Sequence, residues 1–315
     1  MWVGFPSHGE LWEGNLEPAQ AEAAALTKAL AGPGGENVKL MVCGEEGRRS
    51  AQALLAGVAH VEIIDALFGD IWLRDTGPIF TGPGAASAFA FNGWGGKYIL
   101  PGDESVAGTI GAGADLAHHE FVLEGGALDH DGEGTILTTR QCLLNSNRNR
   151  GWREADAEQA LAASLGATKV LWLDQGLMND HTDGHIDNLA RFVAPGVVAC
   201  PVSLGEDDPN ARIYDTAAEA LAGMTDAAGR RIVVKRIPSP GRIMSEDHRV
   251  QPASHMNFII ANGAVVAPTY GGRTGDWAVE ALEDMFPGRT VLGLPSTALL
   301  TGGGSFHCIT QQEPG

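Results

Sequence analysis

The chain has 315 residues, 44% of them hydrophobic and only 19% charged, which is ample for a large core and too apolar for a disordered chain. A formal charge of -18 with no run of Lys and Arg excludes the basic footprint of a nucleic-acid binder. The N-terminus (Met1-Trp2-Val3-Gly4-Phe5-Pro6) shows no basic segment followed by an apolar one, no apolar run approaches the ~20 residues that span a bilayer, and Cys43, Cys142, Cys200 and Cys308 form no CxxC pair, so the expectation is a single cytoplasmic domain with reduced thiols and no membrane partner.

Taken in order, the apolar pattern repeats one unit: strand, Gly-containing turn, strand, helix, strand. Glu17 to Leu30 reads as helix and Val38 to Cys43 as strand, the tail of a unit whose head is missing. Pro78 to Phe91 reads as a hairpin turning at Gly82-Pro83-Gly84, and Ala127 to Thr139 as another turning at Asp131 to Gly134. Arg153 to Leu165 is a helix ahead of strand Lys169 to Leu173. Leu189 to Pro201 and Asn257 to Pro268 are the clearest hairpins, with turns at Pro195-Gly196 and Asn262-Gly263. Helices at Pro209 to Gly223 and Thr274 to Met285 precede strands Ile232 to Ile237 and Thr290 to Leu294. A C-terminal strand around Leu299 to Thr310 would supply the missing head. Such units arranged about a centre predict a closed, propeller-like α/β ring, and the hairpins argue against a doubly wound sheet.

Four segments hold polar residues among apolar ones. In Gly69 to Pro78 (GDIWLRDTGP), charged residues sit beside Trp72, just before a strand. In Phe121 to Gly126 (FVLEGG), a strand ends in Glu124 followed by two glycines that permit close approach. In His181 to Asn188 (HTDGHIDN), a strand would put His185 and Asp187 on one face, suited to acid-base work. Alternation of His181, Asp183, His185 and Asp187 equally permits a metal site, and a structural role stays open. In Gly302 to Thr310 (GGGSFHCIT), three glycines precede Cys308, which reads either as a reactive thiol or as a structural one. Gly32-Pro33-Gly34-Gly35 is no phosphate loop, because a strand and no lysine follow it.

Together these segments resemble the agmatine deiminase / bacterial peptidyl-arginine deiminase family. The resemblance rests on WLRDTGP (Trp72 to Pro78), FNGWGGKY (Phe91 to Tyr98), LEGG (Leu123 to Gly126), LTTRQCLLNSNRN (Leu137 to Asn149), DGHIDN (Asp183 to Asn188) and GGGSFHCITQQEP (Gly302 to Pro314), in register over nearly the whole chain. It implies the pentein fold, an α/β-propeller of five pseudo-symmetric ββαβ units around a central site. It implies a hydrolase of small cationic guanidino compounds that needs no metal or other cofactor, and a homodimer or larger homo-oligomer is the accompanying expectation. Cys308 would be the nucleophile, His185 the general acid-base and Glu124 the carboxylate that orients it. Asp75 and Asp187 would grip the guanidinium, Trp72 would wall the pocket, and Asp180, His181 and Gly303 would complete the substrate site. Agmatine, giving N-carbamoylputrescine, is the first substrate implied. Deimination of another guanidino compound or of peptidyl-arginine, and amidino transfer, are the alternatives on the same fold. Where the family usually carries Asp-Glu-Thr, this chain has Asp180-His181-Thr182, so an imidazole stands where a carboxylate would face the far end of the substrate. A metal-dependent hydrolase and a non-catalytic guanidine binder are the remaining readings; the second leaves the thiol without a purpose.

Overall fold

A computed structural model describes all residues, Met1 to Gly315. Five small sheets repeat one topology. In each of four units an antiparallel hairpin is followed by a helical crossover to a third, parallel strand. The hairpins are Ile79–Gly82 with Ala85–Ala90, Leu128–His130 with Thr135–Thr139, Arg191–Ala194 with Val197–Val202, and Ile259–Ile260 with Ala264–Thr269. The third strands are Asp115–Val122, Lys169–Leu173, Val233–Pro238 and Thr290–Pro295. A parallel partner cannot be reached by a tight turn, so each crossover uses a helix: Asp103–Ile110, Glu154–Leu165, Ala211–Ala222 and Arg273–Met285.

The fifth unit joins the two ends of the chain. Thr310–Gln311 pairs antiparallel with Trp2–Gly4, which runs parallel to Val38–Val42 after the helix Leu16–Ala31. The missing head of the N-terminal unit is therefore supplied by the C-terminus, as the pattern predicts. A further helix, Gly44–Leu54, and strand, Val61–Asp65, extend this sheet beyond the repeat.

The local causes are visible in the sequence. Leu16–Ala31 is Ala-rich and buries Ala19, Ala23, Leu26 and Leu30 on one face at helical spacing. Each buried leucine contributes about 1.5–3 kcal/mol relative to exposure. Glu154–Leu165 starts where the Asp156 carboxylate accepts the Arg153 backbone N–H at 2.9 Å, and ends at Gly166 with φ 71°.

Two expected strands are corrected. Leu299 lies in a short helix, Thr297–Thr301, and the chain from Gly302 to Ile309 runs as turns, so only Thr310–Gln311 is strand. The glycine run that loosens the backbone also prevents a ladder there. The segment from His181 is not strand either: it turns through Asp183 and Gly184, both at positive φ, into the 3-10 turn Ile186–Asn188. His118, His119 and Glu120 lie inside strand Asp115–Val122.

Neighbouring units meet at their first strands. Arg191 Nε, on the third unit, binds Asp129 Oδ1 of the second at 2.9 Å, both largely buried. The ends of these first strands and the turns beside them supply the site.

Candidate functional site

Asp75 sits on the one-turn helix Leu73–Thr76, and both it and Arg74 are buried, so the pair is no surface ion pair. Its two oxygens are fixed from separate segments. Oδ1 accepts the Gly126 N–H and Oδ2 the Trp94 indole N–H, each at 2.9 Å. Trp94 holds a left-handed backbone, φ 53° and ψ 48°, inside the glycine-rich turn Gly93–Gly96. For an aromatic residue that conformation is strained, and its product here is an indole N–H aimed at a buried carboxylate.

Asp187 is fully buried, and its Oδ2 lies 2.8 Å from His307 Nδ1 and 3.8 Å from Cys308 Sγ. Burial holds His307 well below its ordinary imidazole range, and the positive charges of Arg191 and Arg74 add to the effect. The neutral tautomer that satisfies Asp187 carries its proton on Nδ1 and donates it to the carboxylate. The other Asp187 oxygen, Oδ1, has no partner.

Cys308 is held by Asn257. Asn257 Nδ2 donates to Sγ at 3.2 Å, and its Oδ1 accepts the backbone N–H groups of His307 and Cys308 at 2.9 and 3.3 Å. Burial, then the negative charges of Asp187 and Asp75, push the Cys308 thiol well above its ordinary range. The same two influences, burial and the nearby Asp75, raise Asp187 to about 7, against the pull of His185.

His185 lies 3.8 Å from Asp75 Oδ1, and neither ring nitrogen has a hydrogen-bond partner. Burial opposes its charge, but Asp75 and other negative neighbours, Glu124 among them, win and hold it protonated well above the ordinary value. Glu124 is itself buried in an ion pair with Arg148, Nε to Oε1 at 2.6 Å. The ligand atoms of Glu124, His185 and Cys142 lie within 4.8 Å of one another. His181 and Asp183 do not join them. Asp183 is committed to Lys97 at 2.6 Å and Arg148 at 2.7 Å, and His181 stands at the cavity mouth, so the alternating four do not converge on one ion.

A cavity of about 250 Å³ opens onto Cys308 and Asp75 and is walled by Trp72, Trp94, Tyr98 and His181. Gly302, Gly303 and Gly304 line it too. A Cβ on Gly304 would stand 2.6 Å from the Trp72 ring and 3.0 Å from Cys308 Cβ, so the glycine admits the indole against the thiol. Gly126 plays the matching part on the other side. Its Cβ would lie 2.6 Å from His185 Nδ1, 2.9 Å from Asp75 Oδ1 and 3.1 Å from Asp187 Oδ2. His185 and Asp187 therefore share a face through a turn rather than a strand.

Cys308, His185, Asp75, Asp187 and Glu124 are thus brought together, with Trp72, His181 and Gly303 on the cavity wall. Asp180 is not. Its Oδ1 caps Thr182 N–H at 2.9 Å and its hydroxyl at 2.6 Å, and Oδ2 faces Asn188 at 3.3 Å, so it shapes the loop instead of lining the cavity. Asn257, His307, Arg148 and Cys142 are additions that sequence reasoning missed. Arg148 and Cys142 lie within LTTRQCLLNSNRN, and His307 adjoins the thiol, but nothing in their spacing signals convergence. Asn257 shows only as a polar residue opening an apolar hairpin.

A family model described as Porphyromonas-type peptidyl-arginine deiminase matches residues 1–314. An agmatine deiminase of Pseudomonas aeruginosa is 34% identical, over 99% of this chain and 92% of its own. The solved agmatine deiminase of Enterococcus faecalis superposes with a TM-score of 0.91 at 31% identity, covering 99% of this chain and 92% of that one. A cysteine-to-serine variant of the C. jejuni agmatine deiminase, solved with substrate bound, superposes with a TM-score of 0.87 at 27% identity, covering 98% and 91%.

Proposed function

Because this chain belongs to the Porphyromonas-type peptidyl-arginine deiminase family, we propose that it hydrolyses the guanidino group of agmatine to give N-carbamoylputrescine and ammonia, with Cys308 as nucleophile. The observation that carries the reading is the meeting of two buried carboxylates, Asp75 and Asp187, with a thiol 3.8 Å from the second, where Asp75 and the thiol open onto a small cavity and Asp187 lies buried behind them.

A guanidinium is planar and resonance-stabilised, hence a weak electrophile. Asp75 and Asp187 accept its N–H groups and aim its central carbon at Sγ. Asp187 Oδ1 is free for this purpose. The cation also completes the site electrostatically. Two carboxylates disfavour the Cys308 thiolate, and a bound positive charge offsets them, so the thiol loses its proton to solvent when substrate binds. Attack forms the S–C bond and a neutral tetrahedral species. His185, protonated, gives its proton to one amino group, the C–N bond breaks, and ammonia leaves a cationic thiouronium on Cys308. The now neutral His185 takes a proton from water, whose oxygen adds to that carbon. The new hydroxyl then gives its proton to the departing sulfur as the C–S bond breaks, returning the Cys308 thiol and the neutral ureido product. Glu124, itself anchored by Arg148, stabilises the imidazolium in both half-reactions.

No helix is long and apolar enough to cross a membrane. All four cysteines are free, and a reduced Cys308 suits the cytoplasm. The test is ammonia release from a panel of agmatine, arginine, shorter and acidic guanidines and an arginine peptide, with products identified by mass. A ureido product from agmatine supports the reading. Turnover of the peptide alone, or transfer of the amidino group to an amine, replaces it.

A further inference from the structure

Consecutive residues face opposite sides of the wall that carries the thiol. Asp75 and Cys308 line the cavity already described, whereas Arg74 and His307 line a second, larger one of about 460 Å³. The two cavities share no lining residue. We propose that this second cavity, where Arg74, Arg191, His130 and His307 stand together, binds a small organic carboxylate.

Its charge is opposite to that of the chain. The molecule as a whole carries -18, yet the only acid on this wall is Asp129, already ion-paired with Arg191 at 2.9 Å. Asp129 also accepts the Phe192 N–H, so it has little left to offer a cation. Arg74 is 4% exposed and uses Nε and Nη1 on His307 O and Gln311 Oε1, at 3.3 and 2.9 Å. Its Nη2 is buried with no partner. Burial lowers Arg74 only to about 10, so it stays cationic at neutral pH. A charged donor without an acceptor is rare in folded proteins, and a ligand carboxylate beside Arg74 would supply that acceptor once the guanidinium turns Nη2 toward the cavity. His307 spends its Nδ1 proton on Asp187, so its Nε2 presents only a lone pair to this side, and the positive charge of the wall is that of Arg74 and Arg191.

The rest of the lining sets the class of anion. Leu128, Ile136, Phe192 and Ile259 supply apolar surface that a bare phosphate would not use. A planar carboxylate on an aliphatic or aromatic body satisfies the guanidinium fork and the apolar wall together. The cation-selective site cannot take such a ligand beside Asp75 and Asp187.

Titration calorimetry of the full chain with butyrate, and in a second arm with inorganic phosphate, tests this. Saturable butyrate binding is expected, retained in Cys308→Ser and weaker at least 10-fold in Arg74→Gln. Thr81 lines the cavity at an exposed strand position, so Thr81→Glu adds a competing carboxylate without touching the buried cluster. It should weaken butyrate to a similar degree, and it keeps the test decisive if Arg74→Gln does not fold. Absence of saturable butyrate binding, tighter binding of phosphate than of butyrate, or butyrate affinity undiminished in Thr81→Glu would overturn the proposal.

Discussion

Asn257 grips Cys308 from both ends of its amide: Nδ2 lies 3.2 Å from Sγ, while Oδ1 receives the Cys308 backbone N–H at 3.3 Å. The first contact favours a thiolate, and the second fixes the turn that presents it. A hydrogen bond to a charged group contributes about 1.5–3 kcal/mol. Asn257→Ala should therefore lower kcat by roughly 10- to 100-fold with a smaller change in KM. Asn257→Asp, which places a carboxylate against the sulfur, should be worse. Equal activity of the two variants, measured by ammonia release, would contradict this role.

Gly126 is the point where three functional groups crowd one backbone atom. Gly126→Ala would put a methyl 2.6 Å from His185 Nδ1 and 2.9 Å from Asp75 Oδ1. Displacements near 1 Å at a reacting centre cost on the order of 100-fold in rate. We expect kcat/KM to fall by about that factor while the melting temperature drops only modestly. A variant that unfolds outright, or one with wild-type activity, would show that the crowding is not what the site depends on.

Much of this was readable in the sequence. The alternating apolar runs and the turns at Pro195-Gly196 and Asn262-Gly263 located the hairpins, and the Ala-rich segments located the crossover helices. Strand Val61–Asp65 and the helix before it lie outside the repeat, so the repeating pattern does not signal them. Cys308, His185 and the carboxylates were visible because each sits in a dense polar motif. Asn257 stands alone at the head of an apolar hairpin and Arg148 lies in a polar run whose spacing signals no chemistry, and only the ring brings them to the thiol and to Glu124. The two turn segments resemble strands in sequence because their apolar and polar residues alternate. The positive φ of Asp183, Gly184 and Gly303 decides the matter locally.

The pH dependence follows from Asp187, raised to about 7 by burial first and then by Asp75. Guanidinium binding requires the carboxylate, so kcat/KM should rise with pH through about 7. Once bound, the substrate cation stabilises the carboxylate and lowers its pKa. The acid limb of kcat should therefore lie at lower pH than that of kcat/KM. Profiles of both parameters between pH 5 and 9 check this (roughly two units either side of the Asp187 value). A kcat limb at higher pH than the kcat/KM limb would refute the assignment.

Glu124 and Arg148 form a buried pair with side chains 1% exposed. Removing one partner of such a pair costs about 3–5 kcal/mol, whereas removing both costs much less. Arg148→Met should be strongly destabilised in urea melts, and Glu124→Gln/Arg148→Met should regain part of that stability. The double variant should stay catalytically impaired, because His185 loses its carboxylate. Additive stability effects would show that the two side chains are not coupled.

His181 occupies the mouth of the cavity, stacked on Tyr98 with ring centroids 5.9 Å apart and Nδ1 3.1 Å from its hydroxyl. A carboxylate there would attract the ammonium tail of agmatine. His181→Glu should lower KM for agmatine several-fold, in line with about 0.5–1 kcal/mol for a partly exposed charge pair, and leave kcat nearly unchanged. An unchanged or higher KM would place the tail elsewhere.

The central claim is a covalent intermediate on Cys308. Acid quenching of the enzyme during agmatine turnover, followed by peptide mass spectrometry, tests it most directly. The account predicts an adduct of agmatine less ammonia on the peptide that contains Cys308, and neither adduct nor ammonia release in Cys308→Ser. An adduct on another residue, or undiminished turnover by Cys308→Ser, would contradict it.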